Sequence, residues 1–199
     1  MDDSKLITWQ EHQKTRTARW RAENGTPPPK KVIVADDTMT ANDAYRLASE
    51  GTALLWRGDF HNAKQLMQAM GRRIDAKAAR KPKVPATLLD AFNLNRQAQA
   101  QRARTLAMVL IPFDPDYSVP LRRAPDVGQA CLEAWGAPTG NTVASLRELL
   151  GIVGAYEWRR KGVDVPALDA RIHPHYGVFA PIRNEYVEMI ATAPLPEPL

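Results

Sequence analysis

Cysteine is nearly absent from this chain of 199 residues, which contains Cys131 and no other. A single thiol cannot form an intramolecular disulfide, so the small secreted domains that depend on disulfides are excluded. Cys131 lies among the apolar residues Val127, Ala130, Leu132 and Trp135. This setting predicts a small buried side chain, because reactive thiolates need a polar or cationic environment.

Long hydrophobic runs are also missing. The longest apolar stretches, such as LAMVLIPF, are too short to cross a bilayer. The first residues, MDDSKLITWQ, are acidic and polar, and they lack the apolar segment of a secretory signal peptide. We therefore expect a cytoplasmic protein without membrane contact.

The sequence has no motif for a complete catalytic site. Neither GxGxxG nor GxxxxGK[ST] occurs, so no nucleotide-binding glycine loop is encoded. His173 and His175 flank Pro174 and could chelate a metal, but a metal site needs a third and a fourth ligand, and none is nearby in the sequence. Paired acids such as Asp36 and Asp37 have no histidine beside them. We predict neither a bound metal nor catalysis by this chain alone.

Basic residues are the most prominent feature that is present. Lys and Arg outnumber Asp and Glu by 27 to 22, which gives a formal net charge of +5. A dense cluster is offset only by Asp75, and its predicted nucleic-acid-binding members are Arg72, Arg73, Lys77, Arg80 and Lys81. Phosphate backbones bind such surfaces, although no RNA- or DNA-binding signature accompanies them. A solvated helix face is the alternative interpretation.

Apolar spacing indicates helices along most of the chain. A capping box at Thr40 and Asp43 begins one helix, and a second follows Asp59, with apolar residues recurring every three or four positions. Further helices are predicted over 88–110, 126–135, 142–162 and 183–193, a short strand over 30–36, and a β-hairpin within 171–182. These elements predict a mainly α protein, a helical bundle with a small C-terminal β-hairpin leading into a short helix.

These predicted elements divide the chain into three parts. Residues 1–37 form an N-terminal arm that can hold a short strand, and the three consecutive prolines within it, at 27–29, predict a turn followed by an extended linker. Residues 38–163 form the helical domain. Residues 164–199 contain the hairpin and the last helix, where the composition shifts toward turn and strand formers.

The C-terminal segment HYGVFAPIRNEYVEMIATAPLP resembles the lead-in to the catalytic domain of class I S-adenosylmethionine-dependent methyltransferases. It is most similar to HemK-type glutamine methyltransferases of release factors and to small-domain rRNA methyltransferases. In those enzymes a helical domain passes through a β-hairpin into a helix that opens with proline, arginine and an acid, matched here by Pro181, Arg183 and Glu185. Upstream segments such as AYRLASEGTALLWRGDFHNAKQLMQAM extend the resemblance over most of the chain, from Trp9 to Pro196.

The resemblance implies that Phe179, Pro181, Arg183 and Glu185 lie near the cofactor and target pocket, with packing and capping of the junction as their alternative role. The glycine-rich loop and the Asn-Pro-Pro-aromatic motif of the family do not occur in these 199 residues. The catalytic domain, which would bind most of the S-adenosylmethionine, is therefore expected beyond Leu199.

The implied function is that of a substrate-recognition or cap domain, inactive alone, acting on rRNA, tRNA or a translation factor. Its expected partners are RNA or a ribosome-associated protein, together with its own catalytic domain. The alternative is a free-standing basic helical module that binds nucleic acid or serves as an adaptor.

Overall fold

Strands make up a larger part of the molecule than the sequence pattern predicts. The computed structural model describes residues 6–80, 85–179 and 183–194. Its eight strands, in chain order, are β1 (Leu6–Glu11), β2 (Lys14–Trp20), β3 (Lys31–Ala35), β4 (Thr52–Trp56), β5 (Val109–Phe113), β6 (Thr142–Ser145), β7 (Val163–Val165) and β8 (Ala170–Ile172).

Helices connect most of these strands. They are α1 (Ala41–Ser49), α2 (Phe60–Arg80), α3 (Leu88–Leu106), α4 (Gly128–Trp135), α5 (Leu146–Lys161) and α6 (Asn184–Thr192). A short 3-10 helix, Pro166–Leu168, lies between β7 and β8. Side-chain caps begin several helices, as at α1, where the hydroxyl of Thr40 accepts the backbone N–H of Asp43 at 3.2 Å.

The first six strands form one mixed sheet in the order β1-β2-β6-β5-β4-β3. Strands β3, β4 and β5 are parallel, β6 is antiparallel to β5, and β2 is parallel to β6. The edge strands β1 and β3 approach each other, so the sheet curls into a nearly closed barrel. Strands β7 and β8 form a separate antiparallel pair.

The curled sheet separates two apolar cores. Inside the barrel the buried residues are Ile7, Trp9, Ala18, Ala53, Leu55, Leu110 and Val143. On the outer face, residues such as Leu54, Trp56 and Ile111 pack against helices α1, α2, α4 and α5. Successive side chains of a strand point to opposite faces, and here both faces are covered. Strands β4, β5 and β6 are therefore buried along their whole length.

The prediction of a mainly α helical bundle is wrong, because the protein is an α/β fold built on this barrel-like sheet. Three buried strands, β4, β5 and β6, lie within residues 38–163, which were expected to be helical. Strands buried on both faces lack the apolar–polar alternation that marks a strand, and short apolar runs cannot be distinguished from helix by period. The helix predicted over 88–110 ends at Leu106, and the one predicted from 142 begins at Leu146.

The N-terminal hairpin of β1 and β2 is a second difference from the sequence prediction. Its two strands join through His12 and Gln13, whose φ angles are 48° and 61°. Such positive φ angles suit the two-residue turns that match strand twist, but glycine and asparagine, the usual signal, are absent here. The strand predicted over 30–36 is confirmed as β3, and the last predicted helix as α6. The C-terminal hairpin lies earlier than predicted, since β7 ends before 171 and the described residues 173–179 are not in a strand.

Gly58 allows the ends of β3 and β4 to approach closely. A Cβ built at Gly58 would lie 2.7 Å from Cγ and 2.8 Å from the backbone nitrogen of Asp37, both closer than real contacts. We expect Gly58→Ala to lower the free energy of unfolding by about 1–3 kcal/mol, because the Asp37 backbone must move. Urea denaturation measures this. Gly154→Ala in α5, where a Cβ meets nothing within 4 Å, is the control and should not destabilise the protein. Equal losses in the two variants would contradict the steric explanation.

Candidate functional site

The positive charge of the protein is concentrated in the segment 60–106, which contains helices α2 and α3 and which we call the helical arm. This segment contains ten Lys or Arg residues and two Asp or Glu residues. The remainder of the chain contains 17 basic and 20 acidic residues, so its formal charge is negative. The excess of +5 over the whole chain therefore arises from the helical arm.

The outer half of the helical arm projects from the core. The buried residues of α2 all lie between Phe60 and Gly71, and those of α3 are Thr105 and Leu106 at its end. Residues 75–80 and 95–101 are exposed. A ligand can therefore approach the outer part of the arm without displacing other elements.

Three of the predicted basic residues share the side of α2 that lies next to α1. Arg73 donates from Nε to Oδ1 of Asn42 at 2.7 Å, and Lys77 Nζ lies 5.8 Å from the ring centroid of Tyr45. Arg80 follows Lys77 by three residues, which places it on the same face.

Two of the predicted cations, Arg72 and Arg80, are exposed and make no ion pair within the part of the chain that the structure describes. Lys81 lies outside the described residues. The cluster is thus partly used in packing against α1 and partly available to a ligand.

An ion pair joins the two helices of the arm. Arg102 donates from Nε to Oδ1 of Asp75 at 3.0 Å and from Nη2 to Oδ2 at 3.3 Å. These hydrogen bonds from Arg102 hold the pKa of Asp75 below its usual value. Asp75, the acid within the basic cluster, therefore stays ionised. It is hydrogen-bonded to Arg102 of α3 and does not neutralise the cations on the side of α2 next to α1.

The residues expected near a cofactor lie at the start of α6. The side chain of Phe179 is 75% exposed, and its ring lies 5.8 Å from that of Tyr186. Arg183 occupies the N-cap position without a capping hydrogen bond from its side chain, and Glu185 lies in the first turn. Pro181 is outside the described residues. The other three are thus neighbours on an exposed surface.

The histidine pair and the cysteine have ordinary structural surroundings. His173 Nδ1 lies 2.6 Å from the carbonyl oxygen of Arg159. Among the described residues, no group of three or more His, Cys, Asp or Glu side chains could hold a metal ion. Cys131 is fully buried, and burial raises the pKa of its thiol to about 12. The thiol is therefore protonated at neutral pH and unsuited to nucleophilic attack.

A cleft of about 430 Å³ lies at the barrel end where β1 and β4 finish. Arg57 donates two hydrogen bonds of 2.8 Å to Glu11, which also accepts the indole N–H of Trp9 at 3.0 Å. These donors hold the pKa of Glu11 below its usual value, with Arg57 the largest cause. Arg16 and Asp114 also line the cleft. The cleft is thus lined by two acids and two arginines, in contrast to the excess of basic residues on the helical arm.

A smaller cavity of about 190 Å³ opens at the other end of the barrel, and we call it the basal pocket. Its residues come from the end of β2, the following loop, the end of α3 and the first turn of α5, and they include Trp20, Arg104 and Glu148. Sequence reasoning missed both cavities because their residues come from distant segments, and no local pattern connects them.

Comparison with protein-family models, with curated proteins and with solved structures finds no match to this chain. Within the described ranges, no helix has the length and apolar character needed to cross a bilayer.

Proposed function

We propose that this chain is the substrate-recognition domain of a cytoplasmic S-adenosylmethionine-dependent methyltransferase that acts on RNA, and that the helical arm holds the RNA. The observation that carries the proposal is the charge of the arm, whose sequence contains ten basic residues and two acidic ones. One of those acids, Asp75, is already paired with Arg102. Among the described residues, the exposed cations Arg72, Arg80 and Arg96 of the arm form no ion pair.

RNA fits this surface better than a folded protein substrate does. A nucleic-acid strand carries a regular series of negative charges, and binding releases the counterions that surround them. Arg side chains suit phosphates because the planar guanidinium donates two parallel hydrogen bonds. The exposed arginines Arg72, Arg80 and Arg96 are distributed over both helices of the arm, so a strand can contact several of them at once.

The methyltransferase part of the proposal is supported by the resemblance of residues 175–196 to a lead-in segment. It is also supported by the apolar side chains exposed there, because exposed apolar patches are typical of interaction sites. These side chains are Val178, Phe179, Met189 and Ile190, each more than half exposed. We infer that this surface packs against a catalytic domain. That domain would bind the cofactor, with Phe179, Arg183 and Glu185 near the pocket.

Fluorescence anisotropy with labelled single-stranded RNA tests the proposal. Affinity should fall steeply as KCl rises from about 50 to 200 mM, because each phosphate contact adds to the salt dependence. Isothermal calorimetry of this chain with S-adenosylmethionine should show no tight binding. An RNA affinity that is absent or independent of salt would contradict the role of the arm. Tight cofactor binding would contradict the assignment of the cofactor to another domain.

A free-standing nucleic-acid-binding or adaptor module remains the second candidate, because the helical arm supports it equally well. The coding sequence beyond Leu199 distinguishes the two. A strand followed by a glycine-rich loop there would support the methyltransferase, since that loop binds the cofactor in such folds. A stop codon would favour the free-standing module.

A further inference from the structure

The basal pocket has flat and apolar walls. Trp20, Pro27, Pro29 and Met108 line it, and most of its exposed lining is apolar. The indole N–H of Trp20 donates to the carbonyl oxygen of Thr26 at 2.7 Å, which holds the loop after β2 against the pocket. Its volume of about 190 Å³ is below the roughly 300–1,000 Å³ of pockets for drug-sized ligands. A single planar ring system suits these dimensions.

A carboxylate supplies the polar part of the pocket. Glu148 lies in the first turn of α5, and Ser145 caps this helix by accepting the backbone N–H of Glu148 at 3.0 Å. Oε1 of Glu148 accepts the backbone N–H of Glu23 at 3.1 Å. Burial raises the pKa of this carboxyl. A partly desolvated carboxylate is stabilised by further N–H donors, so a ligand that brings them is favoured.

Cations lie at the rim of the pocket. Arg147 and Arg104 are both exposed, and Arg104 belongs to the helical arm. The pocket therefore opens beside the surface on which RNA phosphates are proposed to lie. A nucleotide at this position could place its base in the pocket and its phosphate near the two guanidinium groups.

We propose that the basal pocket binds one unpaired guanine base of the RNA strand held by the helical arm. Sequence-specific RNA recognition uses unstacked bases, which stack on aromatic side chains and hydrogen-bond through their Watson–Crick edges. The Watson–Crick edge of guanine presents two adjacent N–H donors, which match the acceptor oxygens of Glu148. Adenine presents an acceptor at the corresponding ring nitrogen. This acceptor would face the carboxylate, which is also an acceptor, so no hydrogen bond could form there. The inference rests on the proposed function, because the arm supplies the strand.

Two single-stranded heptamers test the inference, one of adenines only and one with a single central guanine. The guanine heptamer should bind roughly tenfold more tightly, the discrimination typical of a two-bond base contact. Its binding should quench tryptophan emission. Glu148→Gln should remove the preference for the guanine heptamer, because it replaces one acceptor oxygen with a donor, which disfavours the guanine N–H groups and suits the acceptor nitrogen of adenine. A preference for the guanine heptamer that is as large in the Glu148→Gln variant as in the wild-type protein would overturn the proposal.

The control variants identify the tryptophan that reports binding, since the chain contains five. Trp20→Phe should lose the quenching, and Trp158→Phe, at an exposed position on α5, should keep it. Quenching that persists in Trp20→Phe places the base elsewhere and overturns the proposal. Thermal melting followed by circular dichroism checks that each variant is folded.

Titration with free nucleosides separates failure of the pocket from failure of the proposed function. If no RNA binds, the role of the arm is wrong, and guanosine alone then tests the pocket. Quenching of the wild-type protein by guanosine, stronger than by adenosine and absent in Trp20→Phe, would support the pocket on its own. No response to guanosine would overturn the inference, whatever the RNA result.

Discussion

Replacement of Arg72, Lys77 and Arg80 by alanine should lower the affinity for single-stranded RNA about 100-fold near 0.1 M salt. Each phosphate contact on a single strand adds about 0.7 to the slope of log affinity against log salt, and is therefore worth roughly fivefold at 0.1 M relative to 1 M. Three lost contacts multiply to the expected factor. Anisotropy titrations at several salt concentrations measure both the affinity and the slope, which should decrease by about 2.

A matched variant separates the position of these charges from their number. Lys14, Arg160 and Lys161 are exposed and lie outside the helical arm, and their replacement by alanine removes the same formal charge. This control variant should bind RNA only slightly more weakly than the wild-type protein, because charges more than about 10 Å from the bound RNA are largely screened at this ionic strength. Arg73 is left in place because its hydrogen bond to Asn42 supports the packing of α2 on α1. Equal losses in the two triple variants would show that RNA binds without regard to the arm.

The second large expected effect is on the stability of the barrel-like sheet. Leu110 on β5 is fully buried inside the sheet, opposite Leu55 of β4 and Ser145 of β6. Leu110→Ala should lower the free energy of unfolding by about 2–5 kcal/mol, through lost transfer energy and the cavity left behind. Chemical denaturation with urea, followed by far-ultraviolet circular dichroism, gives this value.

Leu89 provides the comparison for Leu110. The sequence pattern places both leucines in one predicted helix, 88–110. In the structure Leu89 lies on α3 and is 67% exposed, so Leu89→Ala should change stability by less than about 0.5 kcal/mol. Similar losses for the two substitutions would be inconsistent with the interior position of Leu110.

Helices were predictable because their signals are local. The capping residue Thr40 and the apolar spacing of α2 lie within a few positions of one another, and the structure places helices at both. The strands were not predictable in the same way. The runs TALLW and VLIPF are stabilised by pairing with segments far along the chain and by burial on both faces, neither of which appears as a period in the sequence.

The candidate site was predictable only in part, for the same physical reason. A count of Lys and Arg residues identifies the basic cluster, and the structure places its described members on α2. The groups that organise the arm come from other helices, as with Asn42 of α1 and Arg102 of α3. The basal pocket draws Trp20 and Glu148 from segments more than a hundred residues apart, so only the folded chain reveals it.

The pairing of β2 with β6 has a consequence for synthesis of the protein on the ribosome. Arg19 lies opposite Thr142 in the parallel register, so the N-terminal hairpin meets its neighbour only after about 120 further residues have been made. At about 5–20 residues per second, that interval lasts roughly 6–25 s. During this time the apolar side chains of Ile7 and Trp9 have no barrel to enter. The nascent chain must therefore keep its first strands from aggregating until β6 has left the exit tunnel.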